Sequence, residues 1–482
     1  MNEFDLIVIG GGPAGVTAAL RARELGASVA LVERDRLGGT CTNDGCVPTR
    51  VLAKAARLRR EAEQGPDYGL MGSLPSMDFS QLLRRTQQTV YGIQEKKQLI
   101  KHLEDSGTQV YANARSAHFT DSYTIELANG DILRGEKFVL CVGGHARRLN
   151  LPGAEHALTH SDTWNLKRLP GSLLVIGGAA TGCQVASNFD SFGSKVTILE
   201  IGPRILAAED ESVSAEVERG FGKRGIDVHT SIESVDAIEK VGDELRVAYR
   251  SNGDQSATVE AVLFAVGWVG NVEGLDLEAA GIQVERGYVP VNENLQASAP
   301  HIFAAGDITG RMMLVQSAGY EARIAAENAI LGPELRYEHR IVPHGGFTDP
   351  EYGSVGLTES AAKEAGEDYL IAEVPYADLD RAVIDGRPEG LFKMIASQET
   401  HRILGAHAVG EQALEIVQIV AAGMAADMWV EQLAEMELAY PTFSAIAGLA
   451  ARRIVRQLGV IPVAPEWRAL ATPHTAEWER RD

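Results

Sequence analysis

Leu6-Ile7-Val8-Ile9-Gly10-Gly11-Gly12-Pro13-Ala14-Gly15 is an apolar run that breaks on a glycine turn and passes into an Ala-rich stretch. The run reads as a buried strand and the stretch after the turn as a helix that ends near Gly26. A second strand, Val29 to Val32, closes on Glu33. This order has a mechanical meaning. Free backbone N–H groups at a helix N-terminus receive a pyrophosphate, and an acid at the tip of the next strand accepts from ribose hydroxyls. Gly10, Gly12, Gly15 and Glu33 are the candidate contacts.

The same layout returns further along. Leu173-Leu174-Val175-Ile176 leads into Gly177-Gly178-Ala179-Ala180-Thr181-Gly182, and Val196-Thr197-Ile198-Leu199 closes on Glu200. The last glycine and the acid stand 18 positions apart in both copies. One glycine turn alone is weak evidence, but two in register, each with its acid, point to two dinucleotide sites. Gly177, Ala179, Gly182 and Glu200 are the candidates in the second. Ala179 stands where the middle glycine is expected, and its methyl narrows the approach to a pyrophosphate without closing it.

Between the copies lies Gly38-Gly39-Thr40-Cys41-Thr42-Asn43-Asp44-Gly45-Cys46. Two cysteines with four residues between them, at the start of a helix, can form a small reactive disulfide that takes up two electrons and returns them as thiols. A helix N-terminus favours the thiolate. A buried structural pair is the plainer alternative. Cys141 and Cys183 are the only other cysteines, a usage that suits a reducing compartment.

The chain has 482 residues, 45% of them apolar, and a formal charge of −21. That length allows three or four domains, and the charge argues against nucleic acid or an anionic membrane surface as partner. No apolar run is long enough to span a bilayer, and the first strand begins too early to leave room for a signal peptide. A cytoplasmic protein is expected. Residues 51–110 read as polar helices and 111–140 as short strands. Ile302-Phe303-Ala304-Ala305-Gly306-Asp307 reads as a strand ending in Gly-Asp, with a helix after it through Ala325. A further segment begins near Ile341 and alternates strands with helices. The Pro-containing last residues read as an extended tail.

Together these motifs resemble the flavoprotein disulfide reductases, the family of dihydrolipoamide dehydrogenase, glutathione reductase and mercuric reductase. The resemblance runs from about residue 4 to 458. It rests on the Gly10–Gly15 turn, Cys41/Cys46 with Pro48, Val142-Gly143-Gly144, Ala265-Val266-Gly267, Gly306-Asp307 and Phe347-Thr348-Asp349-Pro350-Glu351. It implies an α/β chain with two Rossmann-like dinucleotide-binding domains, for FAD and NAD(P), and an α+β C-terminal dimerisation domain. The expected bounds are 1–150 for the FAD domain, 151–270 for the NAD(P) domain, 271–340 for a region completing the FAD domain, 341–460 for dimerisation, and 461–482 for the tail. By the same resemblance FAD lies on the first turn, with Glu33 on its adenosine ribose, Thr40 and Gly143 beside it, and Asp307 near its ribitol chain. A nicotinamide cofactor lies on the second turn, with Gln184 and Gly267 at its site. Electrons pass from nicotinamide through flavin to the disulfide, with Cys46 the flavin-proximal thiolate and Cys41 the interchange thiol. A homodimer is implied.

The departures are as informative. Relatives that act on disulfides carry His-Pro-Thr…Glu near the C-terminus, and its His–Glu pair is their general acid–base. Here the stretch is Tyr440-Pro441-Thr442-Phe443-Ser444-Ala445, so both members are missing, and a tyrosine titrating near ~10 carries protons poorly at neutral pH. Lipoamide oxidation and disulfide reduction should be slow by roughly 10²–10⁴-fold. A soft metal ion, captured directly by two thiolates, escapes that loss, as does a quinone reduced at the flavin. Mercuric reductase also carries tyrosine there, yet it adds a C-terminal cysteine pair, and here no cysteine follows Cys183. Two more departures concern the flavin. Arg50 replaces the usual Lys four positions after the second cysteine, and Gln184 replaces the Glu that pairs with it. Arg50, less neutralised, would raise the flavin potential; an Arg–Gln hydrogen bond with little electronic effect is the plainer reading.

A carboxylate at Glu200 repels a 2′-phosphate, which favours NADH over NADPH, with Arg204 nearby to soften the preference. Cys141, Cys183, His145, His344 and His407 read as structural. The leading reading is an FAD-dependent NAD(P)H oxidoreductase with a redox-active disulfide, whose acceptor is a metal ion, a quinone or an unidentified thiol compound. Dihydrolipoamide dehydrogenase itself is the first alternative. A flavin-loaded redox sensor or assembly partner is the second.

Overall fold

In a computed structural model, residues 2–338 and 341–460 are described; the expected tail at 461–482 lies outside them. Two compact units divide the described residues. The first takes in the chain up to Ile201 and again from Ile232 to 338, the second Gly202–Ser231 and everything from 341 onward.

The first unit is built on the strand that opens the sequence. β1 (Asn2–Ile9) and β2 (Val29–Val32) flank α1 (Pro13–Glu24), and both strands pair in parallel, Leu6 opposite Val29 through Ile9 opposite Val32. A parallel sheet covered on both faces must be apolar throughout, and Leu6 to Ile9 are all buried. α2 (Gly39–Asn43) and α3 (Cys46–Glu63) follow, then α4 (Phe79–Lys97), whose N-terminus is capped by Asp78, its side chain accepting from Gln81 N–H. β3 (Gln109–Tyr111) joins the sheet beside β2. β4 (Ala117–Asp121), β5 (Thr124–Leu127) and β6 (Ile132–Leu140) form an antiparallel meander, and β6 runs parallel to β1.

The repeat predicted from the second glycine turn is present. β7 (Ser172–Ile176), α5 (Ala180–Phe192) and β8 (Lys195–Leu199) reproduce strand, helix and strand, with β8 parallel to β7 from Ser172 opposite Lys195 to Ile176 opposite Leu199. β9 (Ala261–Phe264) pairs with the other edge of β7. The rings of Phe79, Phe189 and Phe192 meet edge-on or tilted at 6.1 to 6.3 Å and fix the start of α4 on α5. β10 (Ile302–Ala304) returns to the first sheet parallel to β6 and delivers Gly306 and Asp307. The long helix that follows, α6 (Val315–Leu331), begins later and ends later than its sequence suggests.

The second unit is α+β. An antiparallel sheet orders His344–Gly346, Tyr352–Gly356, Ile403–Val409, Leu391–Ser397 and Tyr369–Pro375. Helices Ala413–Ala425 and Ala445–Leu458 bury Ile416, Val417, Val420, Ile446, Ala450 and Ile454 in a core with Val374, Phe392, Met394 and Ala406. The helix Glu211–Arg224, which falls inside the expected 151–270 segment, belongs to this unit. Its Gly220 lets it lie against Pro350, where an added Cβ would come within 2.2 Å of the ring. Arg224 pairs with Asp349 at 3.1 Å, and Ser212 Oγ donates to Glu373 Oε1 at 2.8 Å.

Candidate active site

The two glycine turns are near copies. Gly10 and Gly177 have φ of +104° and +105°, the left-handed region that favours glycine. A Cβ on either would strike a carbonyl just past the end of the neighbouring parallel strand, Cys141 O after β6 at 2.3 Å or Ala265 O after β9 at 2.4 Å. Gly15 and Gly182 press on the turn from inside the helix, where a Cβ would sit 1.7 Å from Gly10 O and 1.9 Å from Gly177 O. Gly12 and Ala179 occupy the N-cap positions of α1 and α5 with nearly the same extended backbone, φ −74° and −80°, and neither helix has a side-chain cap. Both N-termini therefore present backbone donors without a protein acceptor of their own, as a pyrophosphate site requires. The acids stand beside them. Glu33 Oε2 accepts from Gly11 N–H at 2.6 Å and its Oε1 from Asp35 N–H at 2.8 Å, while Glu200 Oε2 accepts from Gly178 N–H at 2.6 Å.

Other expected contacts are held by residues that sequence alone did not single out. Asn271 ties down the Gly143 segment. Its Nδ2 donates to Val142 O at 2.8 Å, its N–H to Gly143 O at 3.0 Å, and its Oδ1 meets His145 Nδ1 at 2.7 Å. Gly267, at φ +102°, accepts from Arg147 N–H at 2.9 Å. Gly306, the residue before Asp307, is tied to the buried Glu321, whose Oε2 accepts from Gly306 N–H at 2.6 Å and whose Oε1 accepts from Tyr337 Oη at 2.7 Å. Burial pushes the Asp307 carboxyl up.

The cysteine loop packs directly on the first turn. Gly38 and Gly39 are left-handed at +103° and +58°, and a Cβ on Gly39 would lie 2.7 Å from Gly12 Cα. Cys41 lies in α2 and Cys46 opens α3. Thr40 O closes the loop between them by accepting from Asp44 N–H at 2.9 Å and Gly45 N–H at 2.6 Å. Both cysteines are free thiols joined by a hydrogen bond. The hydrogen bond with Cys46 draws the Cys41 thiol down to about 7 against the opposing effect of burial; the charge of Lys97 adds a little to the lowering and that of Asp307 opposes it. Cys46, on the other side of that bond, is pushed up.

Arg50 is exposed in the second turn of α3. Gln184 lies on α5, which packs against α3, and its Nε2 donates to Ala180 O at 3.1 Å. Cys141 is buried and its thiol is pushed up by that burial; Cys183, also buried, donates to Gly178 O at 3.1 Å. These two are inert by position. Tyr440 and Ala445 lie in the second unit. Tyr440 is 77% exposed, and its Oη donates to Asp380 Oδ2 at 2.5 Å, which pushes the phenol further up. Ala445 opens the last helix. Neither can exchange a proton near neutral pH. His344 meets Glu209 at 3.3 Å, and the buried His407 meets Leu357 O at 2.9 Å through Nε2. Among the described residues no cluster of His, Cys, Asp or Glu could hold a metal ion, and no helix is long and apolar enough to cross a membrane.

Residues 4–322 match the sequence profile described as pyridine nucleotide-disulphide oxidoreductase, and residues 342–450 match the dimerisation domain of the same family. The chain is 30% identical over 468 residues to a dihydrolipoyl dehydrogenase of Bacillus subtilis (strain 168), covering 93% of this chain and 98% of that one. It is 31% identical over 454 residues to a mercuric reductase of Staphylococcus aureus, covering 93% and 82% respectively. Among solved structures it is similar to the Cu(II) complex of the HOCl-induced flavoprotein disulfide reductase RclA from Escherichia coli. That likeness has a TM-score of 0.83 at 28% identity and covers 94% of this chain and 100% of that one.

Proposed function

Since the chain belongs to the pyridine nucleotide-disulphide oxidoreductase family, we propose that it is an FAD-dependent NADH oxidoreductase whose electrons leave through Cys41 and Cys46 to an acceptor that needs no acid–base histidine. Gly10, Gly12, Gly15, Glu33, Thr40, Gly143 and Asp307 would hold FAD. Gly177, Ala179, Gly182, Gln184, Glu200 and Gly267 would hold the nicotinamide cofactor. Bound FAD supplies a two-electron carrier between a nicotinamide and a disulfide. The rest falls to the chain itself. Two electrons and two protons convert the Cys41–Cys46 disulfide to the dithiol, with Cys46 as the flavin-proximal sulfur and Cys41 as the interchange thiol.

The observation that carries the choice of acceptor is Tyr440. Its hydroxyl is held on Asp380 and Ala445 supplies no carboxylate, so the His–Glu pair that relatives keep at this place is missing. A soft metal ion bound by two sulfurs suits such a site, and the likeness to a reductase whose structure is a Cu(II) complex supports a metal over a quinone or a thiol compound. Glu200 supports NADH. Arg204, which could have received a 2′-phosphate, donates instead to the carbonyls of Leu206, Ala207 and Glu209 at 2.9 to 3.1 Å. Residues 341–460 would form the contact of a homodimer. Likeness to dihydrolipoyl dehydrogenases favours lipoamide as the second reading.

The test follows NADH and NADPH oxidation by the FAD-loaded protein with lipoamide, a mercuric–thiol complex and a cupric complex in parallel, and Cys41→Ser as control. Cys41-dependent turnover of a metal with NADH is expected. Brisk lipoamide turnover contradicts the argument from Tyr440. Reduction that stops after one turnover with every acceptor favours a sensor.

A further inference from the structure

A disulfide between Cys41 and Cys46 closes a ring through the residues between them, so the shape of that loop decides how easily the two sulfurs meet. Asp44 fixes the shape from within. Its N–H donates to Thr40 O at 2.9 Å. Trp164 Nε1 donates to Asp44 O and to Asp44 Oδ1, each at 3.0 Å, and Ser161 Oγ donates to Oδ2 at 2.5 Å. Every polar atom of Asp44, main chain and carboxylate, is therefore engaged. The donors come from a segment that is itself pinned. Thr159 and Asp162 close a capping box on the short helix His160–Thr163. Arg148 Nη2 donates to Asp162 Oδ2 at 3.0 Å, and the buried His160 ring tilts against Trp268 at 5.2 Å. The two residues before Asp44 are held by α4, where Lys97 Nζ donates to Thr42 Oγ1 at 3.2 Å and Gln94 Nε2 to Asn43 Oδ1. The grip on Asp44 takes main chain and side chain together, and its acceptor is a carboxylate, the stronger kind of hydrogen bond.

We propose that Asp44 is a positioning residue for the cysteine pair: held by Ser161 and Trp164, it keeps the loop from Cys41 to Cys46 in the shape that brings the sulfurs together, and so sets how readily the disulfide is reduced. The inference rests on the redox role proposed above for the two cysteines. The thiols already meet across the loop in a hydrogen bond, so closure turns side chains and leaves the clamp in place. A dithiol held this way has little freedom to lose when the S–S bond forms, which favours the disulfide. Release of the clamp frees the dithiol, while the disulfide stays tied by its own bond. The balance then moves toward the dithiol. Against an external dithiol the exchange is closed: two electrons and two protons pass to the cysteine pair, whose S–S bond breaks as the S–S bond of the reagent forms.

The FAD-loaded protein is equilibrated anaerobically with mixtures of reduced and oxidised dithiothreitol and quenched in acid, and its Cys41 and Cys46 thiols are counted by alkylation and peptide mass. In Asp44→Ala the exchange equilibrium should move toward the dithiol by roughly tenfold, and in Trp164→Phe or Ser161→Ala by roughly threefold. Asp44→Asn, which removes the charge and keeps an acceptor for Trp164, should stay within about threefold of wild type. Trp164→Phe added to Asp44→Ala should shift the balance no further, since both remove one contact. An equilibrium unmoved in Asp44→Ala, or moved toward the disulfide, overturns the proposal, and Trp164→Phe with Ser161→Ala decides in the same way if Asp44→Ala folds poorly. Asp44→Asn shifted as far as Asp44→Ala places the effect in the charge and also overturns it. A wild-type pair that no mixture closes contradicts the redox role itself, a result distinct from a pair that closes equally well in every variant.

Discussion

The Gly10–Gly15 turn and the Gly177–Gly182 turn share a backbone and differ in the middle, where Gly12 stands against Ala179. Their outer glycines are imposed by the protein in both copies, through a left-handed φ at the first and a carbonyl within 2 Å of any Cβ at the third. The middle residue is different. Its extended backbone suits any side chain, and a methyl on Gly12 would meet only Gly39 Cα, at 3.6 Å, an ordinary contact. The protein itself therefore tolerates alanine at both places. What calls for glycine at 12 is a group lying across the helix N-terminus at closer range than a methyl allows. The turn that keeps glycine fits a cofactor held permanently; the turn that has given it up fits one that arrives and leaves.

That contrast can be broken by substitution. Gly15→Ala and Gly182→Ala should both be severe, each costing about 3 kcal/mol or more through a clash with a backbone carbonyl, a large part of a typical domain's stability. Thermal unfolding checks both, and a mild effect at either place would mean that the turns are not equivalent. Gly12→Ala should leave the unfolding temperature of the flavin-free protein unchanged and lower flavin affinity by roughly tenfold, about 1.4 kcal/mol. Ala179→Gly should do the reverse at the second turn and lower the KM for NADH by a few-fold. If Gly12→Ala destabilises the flavin-free protein as Gly15→Ala does, the distinction between protein-imposed and ligand-imposed glycine fails.

The turns were legible because strand, turn, helix and acid are near neighbours in sequence and obey local rules. The cysteine pair was legible by spacing for the same reason. The contacts that hold its loop were not. Lys97 is 55 residues from Thr42 and Ser161 is 117 from Asp44, and such contacts arise only when α4 and the 160–164 segment pack around the loop. Likewise Asn271 and Glu321 act through tertiary contacts with no motif of their own. The helix Glu211–Arg224 follows β8 in sequence, yet Gly220 commits it to the sheet around Pro350 in the second unit.

The central claim, that electrons from a nicotinamide reach Cys41 and Cys46, is tested most directly by adding one equivalent of NADH anaerobically to the oxidised, FAD-loaded protein and then alkylating it. The account predicts two newly modified sulfurs, Cys41 and Cys46, none at the buried Cys141 and Cys183, and none in Cys41→Ser. Flavin that is reduced while both sulfurs stay unmodified would contradict it.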